Sequence, residues 1–225
     1  MVIAGAVSVG GAIVVTPSME QHCSILVKQI SRMDLAYAAP VDVEETSARE
    51  RTRRAILDAA VAAFAKSPNA SLTEVAEKAR VGRTTLHRYF PERSDLITAV
   101  GRLTEQAVAD AAKRARLADG TGLDAVLRLC QAYFELSDVL TVIFFTSGVY
   151  DETTSCLSDD DAIAAIERGR DDRSIDAALD ASWILNMMWA LLYAAVDHVN
   201  RGSASRMHAQ TQALTSLRKA IGSPT

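Results

Sequence analysis

Cysteine is scarce in this chain of 225 residues: Cys23, Cys130 and Cys156 stand far apart, with no Cys-x-x-Cys pair and no Cys/His cluster. An odd, scattered set excludes a disulfide framework and a structural zinc site, and a reducing cytoplasm is the expected setting. Prolines number five and glycines eleven, so little interrupts a helix. No apolar run is long enough to cross a bilayer, since Met1–Val15 and Trp183–Val196 both fall short of the span required. Catalytic signatures are missing too. No GxSxG, HExxH, P-loop or GxGxxG occurs, and His22, His87, His198 and His208 accompany no nucleophile pattern, so no catalytic residue and no cofactor are expected. Asp159-Asp160-Asp161 lacks the alternating ligand spacing of a calcium loop and reads as a helix start, so no metal is expected either.

What remains is a chain 49% apolar and 23% charged, which reads as all-α. Its net charge is −4, so the whole molecule has no nucleic-acid signature. The regions differ, however. Residues 47–96 hold ten Lys and Arg against six Asp and Glu, while the rest holds fourteen against twenty-two. A positive module on an acidic body suits local attraction to phosphate without general stickiness.

The positive module has an internal pattern. In Ser71–Phe90 (SLTEVAEKARVGRTTLHRYF), Ser71 and Glu74 form a capping box that starts one short helix. Val75, Ala76 and Ala79 give that helix its inward face, and Val81 marks a turn. Leu86, Tyr89 and Phe90 return at helical spacing on a second helix. Arg83, Thr84, Thr85, His87 and Arg88 are left pointing outward, as base-reading or phosphate-contacting side chains on a recognition helix would be. Upstream, Arg49–Ser67 places Ile56, Leu57, Ala60 and Phe64 on one face, with four arginines crowded at its start.

Residues 48–100 resemble the DNA-binding domain of the TetR family of transcriptional regulators. The matching pieces are Ile56-Leu57-x-Ala59-Ala60-x-x-x-Phe64, Val75-Ala76, Thr85-Leu86-x-x-x-Phe90 and Arg93-x-x-Leu96. The family usually has Gly where this chain has Arg80, and an L-residue at positive φ there costs about 1–2 kcal/mol unless the turn relaxes. It usually has Tyr where His87 stands, and Lys where Arg93 stands. The resemblance also implies that Ser71, Thr73, Tyr89 and Arg93 clamp the DNA backbone.

Three regions are expected. Residues 1–46 form an extension that is disordered or lies before the true start, with Met19 and Met33 as alternative starts. Residues 47–96 are the helix-turn-helix domain, and 97–225 a helical body. In the body a long helix should run from Glu92 to Leu117, followed by helices from Leu123, over Asp138–Phe145 and over Asp159–Arg168. Tyr150–Asp161 reads as an acidic loop, and Gly169–Arg173 as a charged connection.

Trp183–Val196 (WILNMMWALLYAAV) is apolar all round, with Asn186 its one strongly polar residue. Such a helix must be buried on every side, and a second copy of the chain is the simplest cover. With Ser205–Ile221 it resembles the pair through which TetR-family proteins form homodimers, and Leu192 is where a charge should break the pairing. The family resemblance further implies a small-molecule pocket in the body, whose occupation releases DNA. Phe134, Phe144, Phe145, Trp183, Met187 and Tyr193 are the bulky side chains available. Phe134, Phe144, Trp183, Met187 and a buried Asn186 amide are the expected lining. The function expected is a homodimeric, ligand-responsive repressor on a palindromic operator, with an effector of unidentified chemistry and no membrane partner. The alternative is a dimeric DNA-binding protein without an effector, which a solidly packed body would favour.

Overall fold

The computed structural model describes residues 46–149 and 159–223. The expected extension before Thr46, and most of the expected Tyr150–Asp161 loop, lie outside the described residues. The described residues form nine α-helices and no strand, with a single antiparallel bridge between Ile175 and Gly222.

Three helices build the N-terminal unit: α1 (Thr46–Phe64), α2 (Leu72–Lys78) and α3 (Arg83–Tyr89). Seven-residue helices such as α2 and α3 are too short to hold themselves in water, so tertiary burial must support them. Ile56, Phe64, Val75, Leu86 and Leu96 are each at most 1% exposed. Each such burial is worth about 1.5–3 kcal/mol. Ser71 caps α2 as expected, accepting from the Glu74 amide while the Glu74 carboxylate accepts from the Ser71 amide at 2.7 Å.

The turn after α2 does not relax. Arg80 keeps φ at 56°. Its amide donates to Glu77 O at 3.1 Å, and Val81 N–H donates to Ala76 O at 3.0 Å. Those two bonds are a Schellman closure, which satisfies the last carbonyls of α2 only with a left-handed residue in the middle. Arg80→Gly should therefore stabilise the protein by about 1 kcal/mol, raising the thermal midpoint by roughly 2–4 °C. A lower midpoint for the glycine variant in a calorimetric scan would refute this.

Beyond the turn, α4 (Arg93–Arg114) runs from the N-terminal unit into the body without a break at residues 96–97. It is followed by α5 (Gly122–Glu135), α6 (Ser137–Phe145), α7 (Asp160–Asp171), α8 (Ala181–Asn200) and α9 (Arg206–Ile221). Arg128 on α5 donates to the carbonyls of Ala115, Arg116 and Asp119, so a cation closes the C-terminal end of α4. Gly169 departs from its expected place in a connection, because α7 continues through it to Asp171. It sits in the crossing of α7 with α5, where a Cβ would lie 3.1 Å from Gly122 Cα and 2.5 Å from Ile175 Cδ1. Close approach of two helices, rather than chain reversal, explains that glycine.

Among the described residues, no helix is long and apolar enough to cross a membrane. Cys130 is buried, and burial pushes its thiol up to about 12, which leaves it a small apolar side chain rather than a reactive one.

Candidate nucleic-acid interface

Leu86 anchors α3 and decides which side chains leave the protein. It is 1% exposed and packed in the core. At 100° per residue, Thr84 and Arg88 fall on the opposite side, and both are exposed. Arg83 and His87 flank them and are also exposed, whereas Thr85 is half-buried. The expected outward set is thus a crest of Thr84 and Arg88 with Arg83 and His87 beside it. His87 Nδ1 lies 3.3 Å from Pro91 O, which orients the ring along the C-terminal end of α3.

Arginines from α1 extend this surface. Arg49 and Arg88 both lie over the Tyr89 ring, at 5.9 and 5.6 Å, and Arg53 lies over Phe90 at 5.4 Å. The aromatic end of α3 therefore gathers three guanidinium groups, two of them from another helix. Arg49 and Arg53 were visible in the sequence only as part of a basic run at a helix start. Their place beside the recognition helix follows from how α1 crosses the unit.

The residues expected to clamp the DNA backbone fare differently from one another. Tyr89 is half-buried between two guanidinium groups, and Thr73 is half-buried on α2. The Ser71 hydroxyl donates to Glu74 Oε2 at 2.8 Å and accepts from Glu74 N–H, so capping occupies it. The Ser71 amide first, and its hydroxyl second, hold the Glu74 carboxyl below the ordinary glutamate range. Arg93 is a correction. Its guanidinium turns inward, donates to the carbonyls of Ala70 and Pro68, and covers Phe64 at 5.1 Å. It fastens the α1–α2 connection to the start of α4, because the carbonyls there have no helical partner of their own.

In the body, α8 separates the residues expected to line one pocket. Its core face carries Ile184, Leu185, Met188, Leu192 and Val196, all buried. A second face runs through Trp183, Met187, Leu191, Ala194 and His198, with Trp183 62% exposed. The third carries Asn186, Trp189 and Tyr193. Asn186 is exposed, so the expected buried amide is corrected: no desolvation forces a partner on it. Phe134 is 1% exposed core, while Phe144 is half-buried in ring contact with Trp189 and Tyr193. The five expected residues thus do not converge on one pocket: Trp183 and Met187 share the second face, Asn186 stands on the third with Phe144 packed along it, and Phe134 lies in the core of α5. Leu192 is likewise corrected, being 0% exposed in the protein's own core.

The second face of α8 and one side of α9 border an open groove of about 430 Å³, lined by Leu191, Ala194, His198, His208, Gln212 and Ser216 among others. Small side chains line much of it, so another helix could approach closely.

The description "Bacterial regulatory proteins, tetR family" belongs to the family model that matches residues 56–100. The HTH-type transcriptional repressor LfrR of Mycolicibacterium smegmatis is 31% identical over 162 residues, spanning 70% of this chain and 84% of LfrR. The crystal structure of LfrR from Mycobacterium smegmatis in complex with proflavine has a TM-score of 0.65 at 32% identity, covering 79% of this chain and 100% of that one. A putative TetR-family regulator from Rhodococcus sp. shares the fold at a TM-score of 0.63 and 18% identity, over 76% of this chain and 98% of its own. Helix-turn-helix geometry, the match across it and the relative spanning most of the chain agree, and this chain belongs to the TetR family of bacterial transcriptional regulators, which are DNA-binding proteins and not enzymes.

Proposed function

We propose that the chain is a homodimeric, ligand-responsive repressor that binds a palindromic operator through α3 and leaves it when a small molecule occupies the body. The crest of Thr84 and Arg88 opposite Leu86, beside the guanidinium groups of Arg49 and Arg53, carries the DNA-reading half of the proposal. A helix with a buried back and an exposed polar crest fits the major groove, and the surrounding cations suit the flanking phosphates. LfrR, named a repressor and crystallised with proflavine, supports the repressing and ligand-binding halves.

The uncovered face of α8 beside α9 supports the dimer. Trp183, Met187, Leu191 and Ala194 form a stripe that the chain's own core leaves open, and the same stripe on a second copy can cover it about a two-fold axis. Two routes link the body to α3. One is α4, continuous from Arg93; the other is α6, which packs against α1 as well as α4, α5 and α8. A ligand acts only as far as it prefers the conformation in which the two recognition helices no longer match the groove. A coupling of about 1–3 kcal/mol changes operator affinity five- to 150-fold.

Selection from random duplexes should return a motif with two-fold symmetry. Within it, Arg88→Ala should lose about 1–3 kcal/mol at one base position per half-site. Arg93→Ala, which removes an internal fastening, should lower the thermal midpoint and leave base preference unchanged. Selection that enriches no motif would sink the proposal.

A further inference from the structure

Arginines from two helices meet over the aromatic end of α3. Arg49 lies over the Tyr89 ring at 5.9 Å, and Arg88 lies over the same ring at 5.6 Å. Arg53, about one turn on from Arg49, lies over Phe90 at 5.4 Å. Like charges repel, and what holds these groups together is the negative potential of the ring faces. No protein anion helps. Arg49, Arg53 and Arg88 make no ion pair and no side-chain hydrogen bond with the described residues. Arg54, the next residue of α1, differs: its guanidinium pairs with Asp58 at 3.0 Å.

Tyr89 also has a hydroxyl that the fold leaves unused. It makes no hydrogen bond to the described residues, and the residue is half-buried. A tyrosine at a DNA-binding surface can act through that hydroxyl or through its ring. The two cations gathered on Tyr89 favour the ring. A guanidinium over a ring keeps its N–H donors, which lie in its own plane, for phosphate oxygens. Arg49 and Arg88 are both exposed, so those donors are within reach of a duplex. Holding a long side chain in place before contact lowers the entropy lost on binding.

We propose that Tyr89 is a positioning residue: its ring holds Arg49 against a backbone phosphate beside the base edge that Arg88 reaches, and its hydroxyl takes no part. The inference rests on the reading that α3 enters the major groove, and adds to it a phosphate contact made from α1. The phosphate supplies the anion that the protein does not, through charge-assisted hydrogen bonds.

Duplex affinity of the full chain, measured against salt concentration, tests the claim. Each phosphate neutralised adds about 0.9 to the slope of log affinity on log salt, so Arg49→Gln should flatten the slope by roughly that much per bound protomer. Glutamine is a good helix former, so α1 should persist. Tyr89→Leu should weaken binding about two- to fivefold, the range of an exposed cation–ring contact. Adding Arg49→Gln to Tyr89→Leu should then change the slope far less than it does in wild type. Tyr89→Phe brings back the ring without the hydroxyl and should recover what Tyr89→Leu loses. Arg54→Gln, which removes an arginine already paired, is the control for general charge. Should Tyr89→Leu not fold by circular dichroism, Tyr89→Met, unbranched and adaptable, takes its place. Tyr89→Phe binding as weakly as Tyr89→Leu overturns the proposal, because the hydroxyl would then be the contact. So does an unchanged slope for Arg49→Gln, equal flattening by Arg54→Gln, or an undiminished Arg49→Gln effect beside Tyr89→Leu. Phosphates are alike in every duplex, so the slopes are measured on a random-sequence duplex as well as on the selected operator. Ring-dependent flattening by Arg49→Gln without an enriched motif leaves this contact standing and removes the operator reading. An enriched motif with no Arg49→Gln effect on either duplex overturns only the contact.

Discussion

Gly122→Ala is expected to be the most damaging single methyl in the protein. The added Cβ would lie 2.2 Å from both Gly169 Cα and Gly169 N, and 2.6 Å from Ala165 O. All three are backbone atoms, so no rotamer change relieves the overlap, and α5 must move away from α7. Separation would also stretch two bonds at the start of α5, from Gly122 N–H to Asp172 Oδ2 at 2.9 Å and from Leu123 N–H to Ser174 Oγ at 3.0 Å. Those bonds satisfy amides that a helix start otherwise leaves without a partner. Overpacking costs about 1–3 kcal/mol where side chains can yield, and a backbone clash belongs at or above the top of that range. Thermal unfolding would report it as a drop of roughly 6 °C or more, or as failure to fold. Gly82→Ser is the control, since a Cβ there meets only Thr85 Oγ1, at 4.0 Å. Equal midpoints for the two variants would refute the close-approach account of Gly122 and Gly169.

Ala194→Asp is expected to abolish operator binding without touching a DNA-contacting residue. Ala194 is exposed on α8, on the stripe left open beside α9, so an isolated protomer tolerates the carboxylate. In a two-fold dimer, two such carboxylates would be buried close together, each without a cation, a change that costs several kcal/mol. Protomers would separate, and each would keep only one recognition helix. Two helices held about 34–36 Å apart bind two half-sites as a unit, whereas one helix alone falls toward non-specific affinity. Light scattering should give a dimer for wild type and a monomer for Ala194→Asp, with circular dichroism unchanged. Leu192→Asp cannot serve as this test, because Leu192 lies in the protomer's own core and a charge there unfolds the chain. A monomeric wild type at micromolar concentration would defeat the dimer proposal.

Both outcomes turn on information that the sequence holds unevenly. Local chemistry was legible: the Ser71–Glu74 box, the Val75/Ala76 and Leu86/Phe90 spacing, and the position of Arg80 each fix a backbone decision within a few residues. Hydrophobic period also placed the body's helices, because burial must recur every three or four residues whatever the partner. Apolarity on all sides of α8 read as burial on every side, whereas Trp183, Asn186, Tyr193 and Ala194 are exposed in the protomer. It could not say which side chain would meet which one, since Trp183, Asn186 and Met187 differ in direction only by their 100° steps and the neighbours come from distant segments. For the same reason Gly169 read as a connection until α5 crossed it, Arg93 read as a phosphate clamp until the Ala70 and Pro68 carbonyls lay within reach, and Tyr133 and Trp189 had no common place until α5 and α8 packed. The sequence alone determined the helix-turn-helix and the all-helical body, through interactions between residues a turn or two apart. Which faces stayed open, and which side chains met on them, was decided by tertiary packing, because those contacts join residues tens of positions apart.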